Sequence, residues 1–129
     1  MKQHMILFRA KRLDNGEWIV GDLLHSYEGG AIIVPITEKD GSSGGAFSIN
    51  PTTICQFTGL KDKDDKEIWE HDLVKNTNSG TIYEVIFKNA AFILMEPENI
   101  HNMPLYLISR YNRLTDICIN FGSKFDKEV

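Results

Sequence analysis

Short runs of alternating apolar and polar side chains, broken every few residues by Gly, Asn, Asp or Pro, set the rhythm of this chain. Residues 19–24, 31–36, 47–49, 81–87, 91–95, 105–108 and 116–121 form segments rich in Ile, Val, Phe and Tyr. β-Branched and aromatic side chains pack well on a pleated, half-buried surface, so these segments predict strands. No stretch sustains the i, i+3, i+4, i+7 apolar spacing of a long helix. The segment open to a short helix is 103–116, where Leu105, Ile108, Tyr111 and Leu114 fall three apart and Pro104 would occupy the first turn. The pattern predicts an all-β protein with room for that one helix.

Turn chemistry joins the strands. Asp14-Asn15-Gly16 separates the alternating run 8–13 from the strand-like residues 17–20, and Asn-Gly supplies the positive φ angles of a tight hairpin. An N-terminal β-hairpin is expected. Asn78-Ser79-Gly80 stands in the same relation to Leu73-Val74 and residues 82–87 and predicts a second meander. Residues 40–45, Asp-Gly-Ser-Ser-Gly-Gly, have no apolar side chain to anchor them and are expected to form a flexible loop. That loop lacks the Lys-Ser/Thr of a P-loop, the GxGxxG spacing and a following helix, so it is not expected to bind phosphate.

Charge is concentrated in residues 53–75, and this stretch echoes an earlier one. Setting residues 14–24 over 64–74 matches Asp14 with Asp64, Glu17 with Glu67, Asp22 with Asp72 and Leu23 with Leu73. Both read as turn, short strand, kink, strand. In each, a Trp-bearing strand offers apolar area, and an Asp can bond backbone N–H groups where the next strand starts. The charges are therefore assigned to turns and solvent faces rather than to a ligand site.

Composition narrows the class. A chain of 129 residues makes one domain or two small halves and buries about two-thirds of its unfolded surface, enough for a core without staples. Hydrophobic and charged shares of 42% and 25% are those of a soluble globular protein. The net charge of −4 and pI near 5.5 count against phosphate neutralisation as the main activity. Arg9, Lys11 and Arg12 form the one basic cluster, alternating with Phe8, Ala10 and Leu13 as the solvent face of a strand would.

Cys55 and Cys118 lie far apart among apolar neighbours and are expected to be buried free thiols of a reducing compartment. Without a CxxC, a zinc knuckle or thioredoxin-type site has no basis. The N-terminal apolar run is too short for a signal peptide, and no run approaches the ~20 residues of a membrane span. A cytoplasmic protein with no membrane contact is expected.

The run Pro51-Thr52-Thr53-Ile54-Cys55-Gln56-Phe57-Thr58-Gly59-Leu60, continued by residues 62–64 and by Lys66-Glu67-Ile68-Trp69-Glu70-His71-Asp72-Leu73-Val74, resembles the YopX family of phage and prophage proteins. Phe8-Arg9-Ala10-Lys11 with Gly16-Glu17-Trp18-Ile19-Val20-Gly21-Asp22-Leu23 is similar to that family's opening hairpin, so the likeness covers most of residues 6–94. The chain departs from the pattern at Asp65, where the family has an Asn-Gly turn, and at His71, where a Gly precedes the Asp. From about residue 99 the family's Gly-Asn-Ile-Tyr-Glu ending is not visible. The resemblance implies an association with mobile elements, an SH3-like small β-barrel in the C-terminal half, and no established activity. It divides the chain into an N-terminal β-hairpin region at 1–56 and a barrel at 57–129. Closing short strands into a barrel removes sticky edges. Gln56, Phe57, Thr58, Gly59, Leu60, Asp62, Glu67, Ile68 and Asp72 make up its structural motif.

An enzyme needs a nucleophile with its base, a carboxylate pair or a metal cluster. Glu96, Glu98 and His101 are the best metal candidates and His71-Asp72 the next, but neither set has helical i, i+4 spacing, and surface loops collect such residues. A Cys55–His nucleophile pair has no support in an apolar, strand-like setting. No catalytic residue, metal or cofactor is expected. Binding is the stronger class. Trp69 and Tyr83, with Arg9, Lys11 and Arg12, are the candidate contact residues. The expected partner is a second copy of the chain or a phage or host protein, with nucleic acid as the alternative.

Overall fold

The computed structural model describes residues 6–26, 28–35, 45–95 and 118–127, together with the backbone of Asn102–Pro104. Residues 40–44 of the expected loop, the predicted strand 105–108 and the Glu96, Glu98, His101 set lie outside the described residues, as does most of the segment open to a helix. Met103 and Pro104, at the start of that segment, belong to a strand. The chain forms two compact units, Met1–Phe57 and Thr58–Val129. Both are antiparallel β-structure. The helical turns among the described residues are short 310 turns, at Pro51–Thr53 and Lys124–Lys127.

In the first unit β1 (Phe8–Lys11), β2 (Trp18–His25), β3 (Ala31–Pro35) and β4 (Phe47–Ser48) are followed by the start of β5 (Cys55–Lys61), in the order β4-β3-β2-β1-β5. The expected hairpin is present. Lys11 pairs with Trp18, and the turn is closed by Arg12 N–H donating to the Glu17 carbonyl at 2.9 Å, with Gly16 at φ 73°. Alternation puts Ala10, Ala31, Ile33 and Ile49 inside, with Ile19, Leu23 and Ile54 packed against them. At Gly21 the backbone of β3 comes so close that a Cβ would collide with the Val34 carbonyl oxygen, which is why the position has no side chain.

In the second unit the rest of β5 lies beside β6 (Glu67–Trp69). A five-stranded sheet is built from β7 (Asp72–Asn76), β8 (Ile82–Lys88), β9 (Ala91–Met95), β10 (Asn102–Pro104) and β11 (Cys118–Ser123), in the order β10-β9-β8-β7-β11. The second meander is the β7–β8 pair, in which Val74 meets Tyr83 and Lys75 meets Ile82. Ile68, Val74, Val85, Leu94 and Cys118 form the core, with Leu60, Tyr83 and Phe92 against it.

One expectation is met in its coarser, all-β form and another needs correction. Among the described residues neither sheet closes into a barrel. The edge of β11 away from β7 takes bonds from the segment before β6 instead: Lys63 N–H donates to the Cys118 carbonyl at 3.0 Å, and Asn120 N–H to Asp62 Oδ2 at 2.6 Å. The echo between residues 14–24 and 64–74 also dissolves. β2 runs unbroken through Asp22, which is exposed, whereas a tight turn separates β6 from β7 and Asp72 is buried. The backbone explains the difference, since His71 lies at φ 69° and reverses the chain, while Gly21 stays extended against β3.

Candidate functional site

The charged stretch is wired into the second unit from within. Asp62, fully buried, opens a tight turn in which its Oδ1 accepts from the N–H groups of Asp64 (2.8 Å) and Lys66 (2.9 Å). Asp65 at φ 66° takes the left-handed position that Asn or Gly would otherwise fill. Asp72, also buried, accepts through Oδ2 from the Trp69 N–H (2.8 Å) and from Nδ2 of Asn120 (2.7 Å). The same Asn120 amide donates to the Glu67 carbonyl at 2.9 Å, and its Oδ1 accepts from Gly122 N–H at 2.8 Å. Thr58 Oγ1 donates to the Ile68 carbonyl at 2.7 Å and accepts from Leu60 N–H, across Gly59 at φ 82°. A carboxylate surrounded by N–H donors is stabilised as an acceptor. The side-chain oxygens of Thr58, Asp62 and Asp72 are thereby engaged by backbone groups and, at Asp72, by the Asn120 amide as well.

Glu67, Glu70, His71 and Asp72 do not converge on one cleft. The Glu67 side chain is exposed and Asp72 is buried, while Glu70 and His71 are half-buried side by side. His71 instead meets residues from later strands. Its Nδ1 lies 2.7 Å from Glu84 Oε2 and its Nε2 3.6 Å from Glu70 Oε2, and its ring meets Phe125 edge-on at 5.3 Å between centroids. Lys124 Nζ lies 3.2 Å from the same Glu84 oxygen. Among the described residues no group of three or more His, Cys, Asp or Glu side chains could hold a metal ion.

The proposed contact residues are placed unevenly. Trp69 is 4% exposed and therefore packs inside rather than facing a partner, and Tyr83 is half-buried against the core. The basic trio is not a plain solvent face. The Arg9 guanidinium lies 4.5 Å and the Lys11 ammonium 5.3 Å from the centroid of the Trp18 ring. Arg12 sits 4.2 Å over Phe47 and is paired with Asp14, Nε to Oδ1 at 2.9 Å. That hydrogen bond holds the Asp14 carboxyl below its usual range. Cations engaged with aromatic faces and a carboxylate are less available to phosphate. Ile82 at 45% and Phe121 at 50% exposure were not singled out by the sequence; Ile82 opens β8 and Phe121 lies within β11.

Neither cysteine is in a disulfide, and both are buried. Cys55 Sγ points to the Thr53 carbonyl at 3.2 Å, and burial, reinforced by the Asp62 charge, pushes the Cys118 thiol up to about 11. A thiol in that state is a poor nucleophile. No helix among the described residues is long and apolar enough to cross a membrane.

Comparison with curated proteins finds no match. The family model described as YopX protein matches residues 7–117, a span that begins at the first hairpin and takes in the Thr58–Asp72 wiring. The chain belongs to the YopX family.

Proposed function

We propose that this is a prophage-type protein that acts by binding, as a protein-binding or self-assembling module, and not by catalysis. The observation that carries the reading is a separation of roles in the second unit. Asp62, Asp72 and Asn120 are spent on backbone groups and on one another inside, while Ile82 is exposed on the sheet face opposite the core, in the row Ile119–Lys75–Ile82, and Phe121 is exposed at the bulge of β11. Exposed apolar side chains grouped on one face are what an interface core is made from. The strand order β10-β9-β8-β7-β11 returns the last strand to the side of the meander's first. Small SH3-like barrels share that strand order, which supports the finer reading of the unit.

Light scattering across a concentration series, on the wild-type chain and an Ile82→Asp/Phe121→Asp double variant, tests the self-assembling form. The wild type is expected to associate and the variant to stay monomeric. A wild type that remains monomeric at high concentration and captures no host protein through this face would refute the proposal. The nucleic-acid alternative is weakened by the engagement of Arg9, Lys11 and Arg12 with Trp18, Phe47 and Asp14. Retardation of DNA or RNA at low salt, lost on Arg9→Ala/Lys11→Ala substitution, would restore it.

A further inference from the structure

The first hairpin turn holds residue 16 at φ 73°, and glycine takes that conformation without strain. The same choice leaves Asn15 followed by a peptide nitrogen that no side chain shields. Asn15-Gly16 is the one Asn-Gly step in the 129 residues. Residues 13–17 are all exposed, and no atom beyond the adjacent residues lies within 4 Å of where a Gly16 Cβ would stand. The step is held by bonds internal to the turn. Gly16 N–H donates to the Arg12 carbonyl at 2.9 Å, Glu17 N–H donates to Asn15 Oδ1 at 2.9 Å, and Asn15 Nδ2 reaches Glu17 Oε2 at 3.4 Å. Exposed bonds of this kind open locally at far less cost than the whole fold.

We propose that Asn15 is a site of spontaneous modification, in which the Gly16 nitrogen and water convert its amide to an acid. When the turn opens, hydroxide or a buffer base takes the Gly16 N–H proton and the nitrogen attacks Asn15 Cγ. A bond forms between that nitrogen and Cγ, the Cγ–Nδ2 bond breaks, and Nδ2 leaves as ammonia with a proton from solvent. Water then opens the cyclic imide at either carbonyl, giving Asp or an isoaspartyl linkage. The sum is amide plus water to acid plus ammonia, with no oxidant or reductant. Either product adds a negative charge beside Asp14 and Glu17 and removes the donor that faces Glu17 Oε2. The isoaspartyl form also routes the main chain of the turn through Cγ. Asn78 and Asn89 stand in exposed turns as well, but Ser79 and Ala90 follow them, and a Cβ there crowds the attacking nitrogen.

The test is site-resolved peptide mapping by mass spectrometry on the full chain, incubated folded at mildly alkaline pH, with a guanidinium-unfolded sample and Asn15→Gln alongside. Asn15 should gain the mass of an amide-to-acid exchange several-fold faster than Asn78 and Asn89, and an isoaspartyl-specific methyltransferase should label the same peptide. Unfolding should speed the conversion, and Asn15→Gln, whose longer side chain closes to an imide far more slowly, should lose it. A folded chain in which Asn15 converts no faster than Asn78 and Asn89 overturns the proposal. So does a folded chain whose Asn15 stays intact while the unfolded chain converts, because the turn is then closed to the reaction.

Discussion

Asn120 of β11 and Asp72 of β7 meet inside the second unit, with the Asn120 amide donating to Asp72 Oδ2 at 2.7 Å while its peptide N–H donates to Asp62 at 2.6 Å. One residue thus serves two carboxylate-bearing turns, through its side chain and its peptide N–H, and docks the last strand. Asn120→Asp removes the donor and adds a negative charge beside two buried carboxylates. Urea unfolding should show a loss of roughly 3–5 kcal/mol, since a buried charge left without a partner is costly. A loss under about 1 kcal/mol would mean that the site hydrates freely.

The β8–β9 hairpin carries removable strain. Asn89 and Ala90 form its two-residue turn at φ 53° and 64°, closed by the Lys88–Ala91 pair. A left-handed L residue costs roughly 1–2 kcal/mol, of which glycine's extra freedom in the unfolded chain takes back about 0.5–1 kcal/mol. Ala90→Gly should therefore raise the melting temperature modestly. A fall would contradict the turn geometry.

Gly21→Ala should act in the opposite direction. The added methyl meets the Val34 carbonyl and Pro35 Cα, both main chain, so β3 itself has to move. Overpacking costs about 1–3 kcal/mol even where side chains can yield, and here the loss should reach the top of that range or pass it. Circular dichroism melts would read it.

Thiol chemistry gives a pH signature. With the Cys118 thiol raised to about 11 by burial and by Asp62, the folded chain keeps a proton that the unfolded chain releases in the ordinary thiol range. Stability should fall as pH rises through the interval between the two values. Cys118→Ala should lack that alkaline loss. At neutral pH a thiol reagent should leave Cys118 unlabelled until denaturant is added; rapid labelling of the native protein would contradict its burial.

Much of the architecture was legible because turns act locally. Asn15-Gly16 and Asn78-Ser79-Gly80 carry their φ preferences wherever they stand, and both hairpins form around them. The functions of Asp62 and Asp72 were not legible, because their decisive partner, Asn120, lies 58 and 48 residues away and is brought in by strand order alone. Asn120 did leave a trace, as a polar residue at a core-facing position two after the buried Cys118. Arg9 and Lys11 alternate as a solvent face should, yet the Lys11–Trp18 register places an indole beside them. The echo of residues 14–24 in 64–74 misled because identical letters followed different backbones, extended at Gly21 and left-handed at His71.

The most direct measurement of the structural role assigned to the motif is a double-mutant cycle on Asp72→Ala and Asn120→Ala, read by chemical denaturation. If the two side chains form one buried lock, the effects will be non-additive, with a coupling of roughly 1–3 kcal/mol. Additive losses, or variants that fold as stably as the wild type while losing an activity, would contradict it and return these residues to a chemical role.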